Sequence, residues 1–314
     1  MTQSIAFVFP GQGSQSVGML QALAADHPQV ADTFREASDI LGKDLWALVC
    51  AGPKEDLDRT ENTQPAMLAA GVAVWRVWEA CDGRRPGFMA GHSLGEFTAL
   101  VCSGAMEYAD AVRLVAARGR FMQEAVPAGT GAMAAILGLS DEQVRNLCAE
   151  VASGDVVEAV NFNSPGQVVI AGAAPAVARA IEAAKAAGAK RALPLPVSVP
   201  SHCALMRPAA ERLRSELEDV RIKAPEIPVL HNVTAGPASD PDQIRDLLTQ
   251  QLYSPVRWVE IVQALAAQRV GLLVEAGPGK VLAGLSKRID KQLESLAVFD
   301  PQGLAGALEA TKHA

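Results

Sequence analysis

The segment Gly91-His92-Ser93-Leu94-Gly95 has the GxSxG spacing and stands between a short apolar run, Phe88 to Ala90, and a helix-like stretch that reaches Cys102. Strand, tight turn and helix in that order would project the Ser93 hydroxyl at the C-terminal edge of a sheet, and the flanking glycines would leave room for the strained turn. The Leu94 amide, at the start of the following helix, could then donate to an oxyanion. The competing reading is a glycine-flanked turn with an inert serine; the strand–turn–helix context favours the nucleophile.

A serine hydroxyl needs a base, and the chain has five histidines. His27 lies in a polar Asp-His-Pro loop, and His313 is one residue from the C-terminus. His92 adjoins Ser93 on an extended segment, where neighbouring side chains point to opposite faces. His202 and His231 remain. His202 follows the Pro-rich stretch Leu195 to Pro200 at a loop junction, the kind of place that carries catalytic groups. His231 lies inside the strand-like run Val229 to Val233, where a histidine is more often structural. Position favours His202 and leaves both open.

Arg118 is out of place. Between Tyr108 and Val126 the apolar residues Ala111, Leu114, Val115, Phe121 and Met122 share one helical face, and Arg118 falls in its middle, while Arg113 and Arg120 fall on the opposite side. An inward guanidinium must meet an acid, because its planar fork matches a carboxylate in two parallel hydrogen bonds. A protein Asp or Glu and a substrate carboxylate both fit. In the first loop, Phe9-Pro10-Gly11-Gln12-Gly13-Ser14-Gln15 supplies two glycines of a dinucleotide fingerprint but puts Ser16 at the third position, so that reading fails. What the loop does offer is the Gln12 side-chain amide, a second donor for a neighbouring oxyanion. Gly279-Lys280 lacks the spacing and the Ser or Thr of a phosphate-cradling loop.

The elements that must position these residues fall into two rhythms. Ile5 to Phe9, Phe88 to Ala90 and Val270 to Glu275 are apolar strands, each followed by a glycine-containing turn and a helical pattern, which predicts an α/β part with a mostly parallel sheet. The middle reads as strand (Ala132 to Leu137), helix capped by Ser140 or Asp141, and strand (Val156 to Phe162). The turn Asn163-Ser164-Pro165-Gly166, a strand (Gln167 to Ala171), a helix (Ala176 to Ala187) and a strand (Ala192 to Val197) follow. That βαββαβ order is the ferredoxin-like unit. The expected organisation is a discontinuous large domain, residues 1–127 and 200–314, with a small inserted domain at 128–199.

With 314 residues the chain suits roughly two domains, or one large domain with an insertion. Its 49% hydrophobic and 20% charged residues, with 26 Gly and 19 Pro spread along it, exclude disorder and collagen-like repeats. The balance of 28 basic against 35 acidic residues, net −7, gives no chain-wide footprint for nucleic acid or an anionic membrane. The N-terminal apolar run is too short and has no Lys or Arg before it for a secretory signal, and no stretch is long enough to span a bilayer. Five cysteines at irregular spacings, without CxxC pairs, argue against a disulfide framework or a zinc site. A reducing cytoplasm is the expected setting.

Taken together, GQGSQ after the first strand, GHSLGE at Gly91 to Glu96, Arg118 in the next helix and PSH at Pro200 to His202 resemble the malonyl-CoA:acyl carrier protein transacylases, the stand-alone acyltransferases of type II fatty acid synthesis. The resemblance runs the whole length, through NFNSPGQVVIAG (Asn161 to Gly172) and VPSHCALM (Val199 to Met206) to EAGPGKVL (Glu275 to Leu282). It implies a hydrolase-like α/β domain with a ferredoxin-like insert, and a malonyl-Ser93 ester formed with His202 as base. It further implies an oxyanion held by the Leu94 amide and Gln12, and Arg118 pairing with the malonyl carboxylate. By the same resemblance the histidine is oriented by a main-chain carbonyl, at Gln251, in place of an aspartate, and Gln64, Asn163 and Gln167 line the substrate pocket. The order of events would be ping-pong, with malonyl-CoA and then acyl carrier protein as partners; no metal or organic cofactor is implied.

Acetyl-CoA has no free carboxylate, so its transfer would leave Arg118 unpaired at a penalty of roughly 2–5 kcal/mol. Val199-Pro200-Ser201-His202 looks like the malonyl-accepting type, unlike the YASH pattern of methylmalonyl-selecting modular acyltransferases. Carrier proteins are acidic, so a chain of net charge −7 needs local basic surface; Lys190 with Arg191, and Lys280 with Lys287 and Arg288, are the candidates. Two rivals keep the same residues: a hydrolase with water as acceptor, and a carrier-binding homologue that retains the site only as a pocket.

Overall fold

The computed structural model describes residues 4–197 and 199–313; Ser198, inside the Pro-rich junction, lies outside the described residues. Its strands are β1 (Ser4–Phe9), β2 (Phe88–Gly91), β3 (Gly131–Leu137), β4 (Val157–Ser164), β5 (Gln167–Ala173), β6 (Arg191–Pro194), β7 (Val229–Leu230), β8 (Val270–Ala276) and β9 (Glu294–Val298). They form two separate sheets.

The larger sheet has the order β7-β2-β1-β8-β9, and every neighbouring pair in it is parallel. Ile5 to Phe9 are all buried, as the unbroken apolar run requires of a central strand covered on both faces. One cover is the helix Thr60–Ala80, whose Trp75 and Trp78 meet Phe7 edge-on with ring centroids 5.3 and 5.0 Å away. Phe9 pairs with Gly91, so β1 and β2 end level. The loop after β1 and the turn after β2 therefore emerge side by side at the carboxyl edge, where open parallel sheets bind ligands.

The smaller sheet is antiparallel, order β4-β5-β3-β6. With the helices Asp141–Val151 and Ala174–Ala186 it is a ferredoxin-like βαββαβ unit with its own core around Ile136, Val144, Phe162, Val168 and Ile170. Ser140 caps the first of these helices and Gln143 returns the bond, which closes two orphan donors. Large and small parts are joined by backbone: Val256 N–H donates to Val160 O at 2.8 Å and Phe162 N–H to Val256 O at 3.0 Å.

The structure moves three expected boundaries. β4 continues through Asn163 and Ser164, leaving Pro165 and Gly166 as the turn, because Ser164 still pairs with Gln167. The last strand of the small unit is Arg191–Pro194, short of Val197, since Pro196 has no N–H to give a ladder. The strand-like run at Val229 stops after Leu230. There His231 N–H turns back to Gly236 O at 3.0 Å and Asn232 N–H goes to the Glu96 carboxylate at 3.0 Å. No helix among the described residues is long and apolar enough to cross a membrane.

Candidate active site

Ser93 sits in the left-handed region at φ 51°, a conformation that costs a non-glycine residue about 1–3 kcal/mol unless its surroundings hold it. Three bonds do so. Asn232 Oδ1 accepts from Ser93 N–H at 2.7 Å, Asn232 Nδ2 donates to Gly91 O at 2.6 Å, and Gln251 Nε2 donates to Ser93 O at 3.0 Å. The flanking glycines are a packing necessity: a Cβ on Gly91 would lie 1.9 Å from the Gly95 carbonyl carbon, and one on Gly95 would lie 2.0 Å from Phe9 O. Gly95→Ala is therefore expected to destabilise the fold by about 3 kcal/mol. A fall in urea midpoint at unchanged slope, together with loss of serine acylation, would register it.

His202 Nε2 lies 2.7 Å from Ser93 Oγ, and His202 Nδ1 lies 2.7 Å from the main-chain O of Gln251. A carbonyl only accepts, so Nδ1 carries the proton and the Nε2 lone pair faces the serine hydroxyl. His202 is 2% exposed. Burial first, and the nearby Arg118 charge second, push its pKa down to about 3, so the base form persists at any pH well above that. The same shift carries a stability term. Between the ordinary value near 6.5 and about 3, the unfolded chain takes up a proton that the folded one refuses, and stability falls as pH drops through that window.

Arg118, in the helix Tyr108–Ala125, is buried as its helical phase requires. Of the two acids that fit it, a protein carboxylate is not in direct contact among the described residues. Arg118 Nη2 donates to Gln251 Oε1 at 2.9 Å and to Ser93 Oγ at 3.3 Å, its Nε has no partner among the described residues, and its Cζ stands 5.4 Å over the Phe97 ring. Burial lowers its pKa to about 10, with the Glu96 charge opposing the fall.

Ser93, His202 and Arg118 share a cavity of about 110 Å³ with Gln12, Leu94 and His92. Gln12 Nε2 donates to Thr60 Oγ1 at 3.3 Å, and Leu94 heads the helix Gly95–Cys102. The small unit closes the other side with Met133, Asn161, Val169 and Leu195. Gln64, Asn163 and Gln167 are not in this wall. Gln64 Nε2 reaches Met122 Sδ at 3.4 Å, Asn163 Oδ1 meets His92 Nε2 at 2.8 Å, and Gln167 Oε1 accepts from Arg288 at 2.9 Å. Asn161, whose buried Oδ1 has no partner among the described residues, was not among the expected pocket residues, and His92, set aside as the base, also lines the cavity. Of the basic candidates, Lys190, Arg191, Lys280, Lys287 and Arg288 are all exposed, and Arg288 already bridges to the small unit through Gln167.

Residues 6–308 match the acyl transferase domain family. The chain is 60% identical to the malonyl CoA-acyl carrier protein transacylase of Escherichia coli K12 over 98% of its own length and 100% of that protein's. It belongs to the malonyl CoA-acyl carrier protein transacylase family. Among solved structures, that family's enzyme from Coxiella burnetii superposes with a TM-score of 0.98 at 50% identity, covering 100% of this chain and 99% of the other. A malonyl-transacylase solved in complex with a type II polyketide acyl-carrier protein superposes with a TM-score of 0.97 at 57% identity, covering 98% and 99%. Both likenesses span the large and the small unit together.

Proposed function

We propose that this chain moves a malonyl group from malonyl-CoA to the phosphopantetheine thiol of an acyl carrier protein by way of a malonyl ester on Ser93. The observation that carries this reading is the convergence of a neutral, carbonyl-oriented His202 and a buried Arg118 on one serine oxygen. Ser93 Oγ attacks the thioester carbonyl while His202 Nε2 takes its proton. The Leu94 N–H and the Gln12 amide hold the tetrahedral oxyanion. Collapse breaks the C–S bond, and CoA leaves as the thiol with the proton from His202. The carrier thiol then gives its proton to His202, attacks the ester, and restores the serine.

Arg118 selects the acyl group, because only an acyl chain with a distal carboxylate brings the fork an anion. A main-chain carbonyl replaces the aspartate of the usual triad, which suffices to fix tautomer and ring orientation. Water is kept out of competition by the apolar side of the cavity, Met122, Met133, Val169 and Leu195. We assign the large domain to 1–127 and 200–314, the small one to 128–199, and the reaction to the cytoplasm, where the five free cysteines stay reduced.

The test is the fate of the malonyl group after incubation with malonyl-CoA and holo carrier protein. Malonyl carrier protein as the main product supports the transferase; free malonate would make the chain a hydrolase. For docking, Lys280 follows the Gly277-Pro278-Gly279 turn beside the first loop, with Gly279 near Ser14; Lys280 is the N-cap of the helix Val281–Ile289, in whose last turn Lys287 stands. Reversing both charges is expected to slow transfer to carrier protein about tenfold more than loading from malonyl-CoA, an effect that fades with added salt. Equal slowing of the two half-reactions would remove these lysines from the docking surface, and the same comparison applies to Lys190 and Arg191.

A further inference from the structure

Arg118 is 1% exposed, and a guanidinium this deep requires a counter-charge. The charge that sustains it is Glu96, yet the two are separated by one side chain. Gln251 Oε1 accepts from Arg118 Nη2 at 2.9 Å, and Gln251 Nε2 donates to Glu96 Oε2 at 2.8 Å. Because a guanidinium only donates and a carboxylate only accepts, this is the one orientation of the amide that satisfies both. Glu96 cannot swing toward the arginine: its Oε1 is held by His231 Nδ1 at 2.7 Å and its Oε2 by Asn232 N–H at 3.0 Å. A direct Arg–carboxylate fork would satisfy the charge equally well, but it would fill the donors that a substrate carboxylate needs.

We propose that Gln251 is a specificity-determining residue. Its side-chain amide keeps the Glu96 counter-charge one side chain away from Arg118, so the guanidinium is held in the core without being occupied by a protein carboxylate. The inference rests on the reading of Arg118 as the partner of the acyl carboxylate. It gives the Gln251 side chain a task distinct from that of its main-chain oxygen, which orients His202. A purely structural role, in which Gln251 and Glu96 only brace the turn at Ser93, would lower all acylation alike.

The experiment exchanges the two side chains in the full-length protein, E96Q with Q251E, which conserves buried charge and places the carboxylate against Arg118. Loading of Ser93 from malonyl-CoA and from acetyl-CoA is followed by intact mass. The malonyl-to-acetyl ratio is expected to fall at least about thirtyfold from wild type; a ratio within about threefold overturns the inference. If wild type itself shows no malonyl preference, or keeps it in Arg118→Ala, the assignment of Arg118 fails and this inference with it. A preference held equally by wild type and the exchange overturns this inference alone. Glu96→Gln gives a second test should the exchange not fold. Its arginine lacks a counter-charge until a malonyl group arrives, so malonyl-CoA should raise its Tm more than it raises wild type's, and an equal rise contradicts the proposal.

Discussion

His202→Ala is expected to slow malonyl loading of Ser93 by about 10²- to 10⁴-fold, the range for removing a positioned general base. Its effect on KM should be small if, as proposed, the imidazole acts on the serine proton and not in binding. The pH profile of wild type provides an independent check. His202 titrates near 3 because burial disfavours its charged form, so kcat/KM should stay level from pH 8 down to about pH 5. An acid limb centred on the ordinary histidine value would mean that the base is solvated and differently held. At the alkaline end, Arg118 loses its charge near 10, and malonyl preference should decline there while acetyl loading does not share that loss.

Arg118→Ala is expected to lower the malonyl-to-acetyl loading ratio by roughly 30- to 150-fold, the equivalent of about 2–3 kcal/mol. The figure sits at the lower end for a buried charge pair because Gln251 and Ser93 already satisfy part of the guanidinium, so acetyl does not leave it wholly bare. Arg118→Lys should recover part of the ratio, since the ammonium keeps the charge and loses the planar fork. Parallel initial-rate measurements with the two thioesters decide it; an unchanged ratio would detach Arg118 from the acyl carboxylate.

Much of the site could be read in the sequence because its parts break local rules. GxSxG names a turn that only glycines tolerate, and the close approaches at Gly91 and Gly95 show why. Arg118 interrupts an apolar helical face, and its burial followed directly. The βαββαβ order and the parallel sheet came from strand runs whose burial matches their apolar pattern.

Other parts were hidden for physical reasons. Every residue owns a carbonyl, so no side-chain pattern could single out Gln251 as the group that orients His202. Glu96 looks like an ordinary first-turn acid of the helix Gly95–Cys102; only the fold brings His231 and Asn232 to it. Alternation placed His92 away from Ser93, but positive φ at Ser93 breaks the alternation, and both residues line the cavity. β4 shifts register between Ala159 and Asn161 and again between Phe162 and Ser164. Which of its two asparagines faces the serine was therefore unreadable from a simple period of two.

The most direct test of the central claim is the intact mass of wild type and Ser93→Ala after brief exposure to malonyl-CoA, followed by holo acyl carrier protein. A single malonyl adduct on wild type alone, which then moves to the carrier, is the predicted result. An adduct on both proteins, or none on wild type with malonyl-CoA left intact, would contradict a malonyl-Ser93 intermediate.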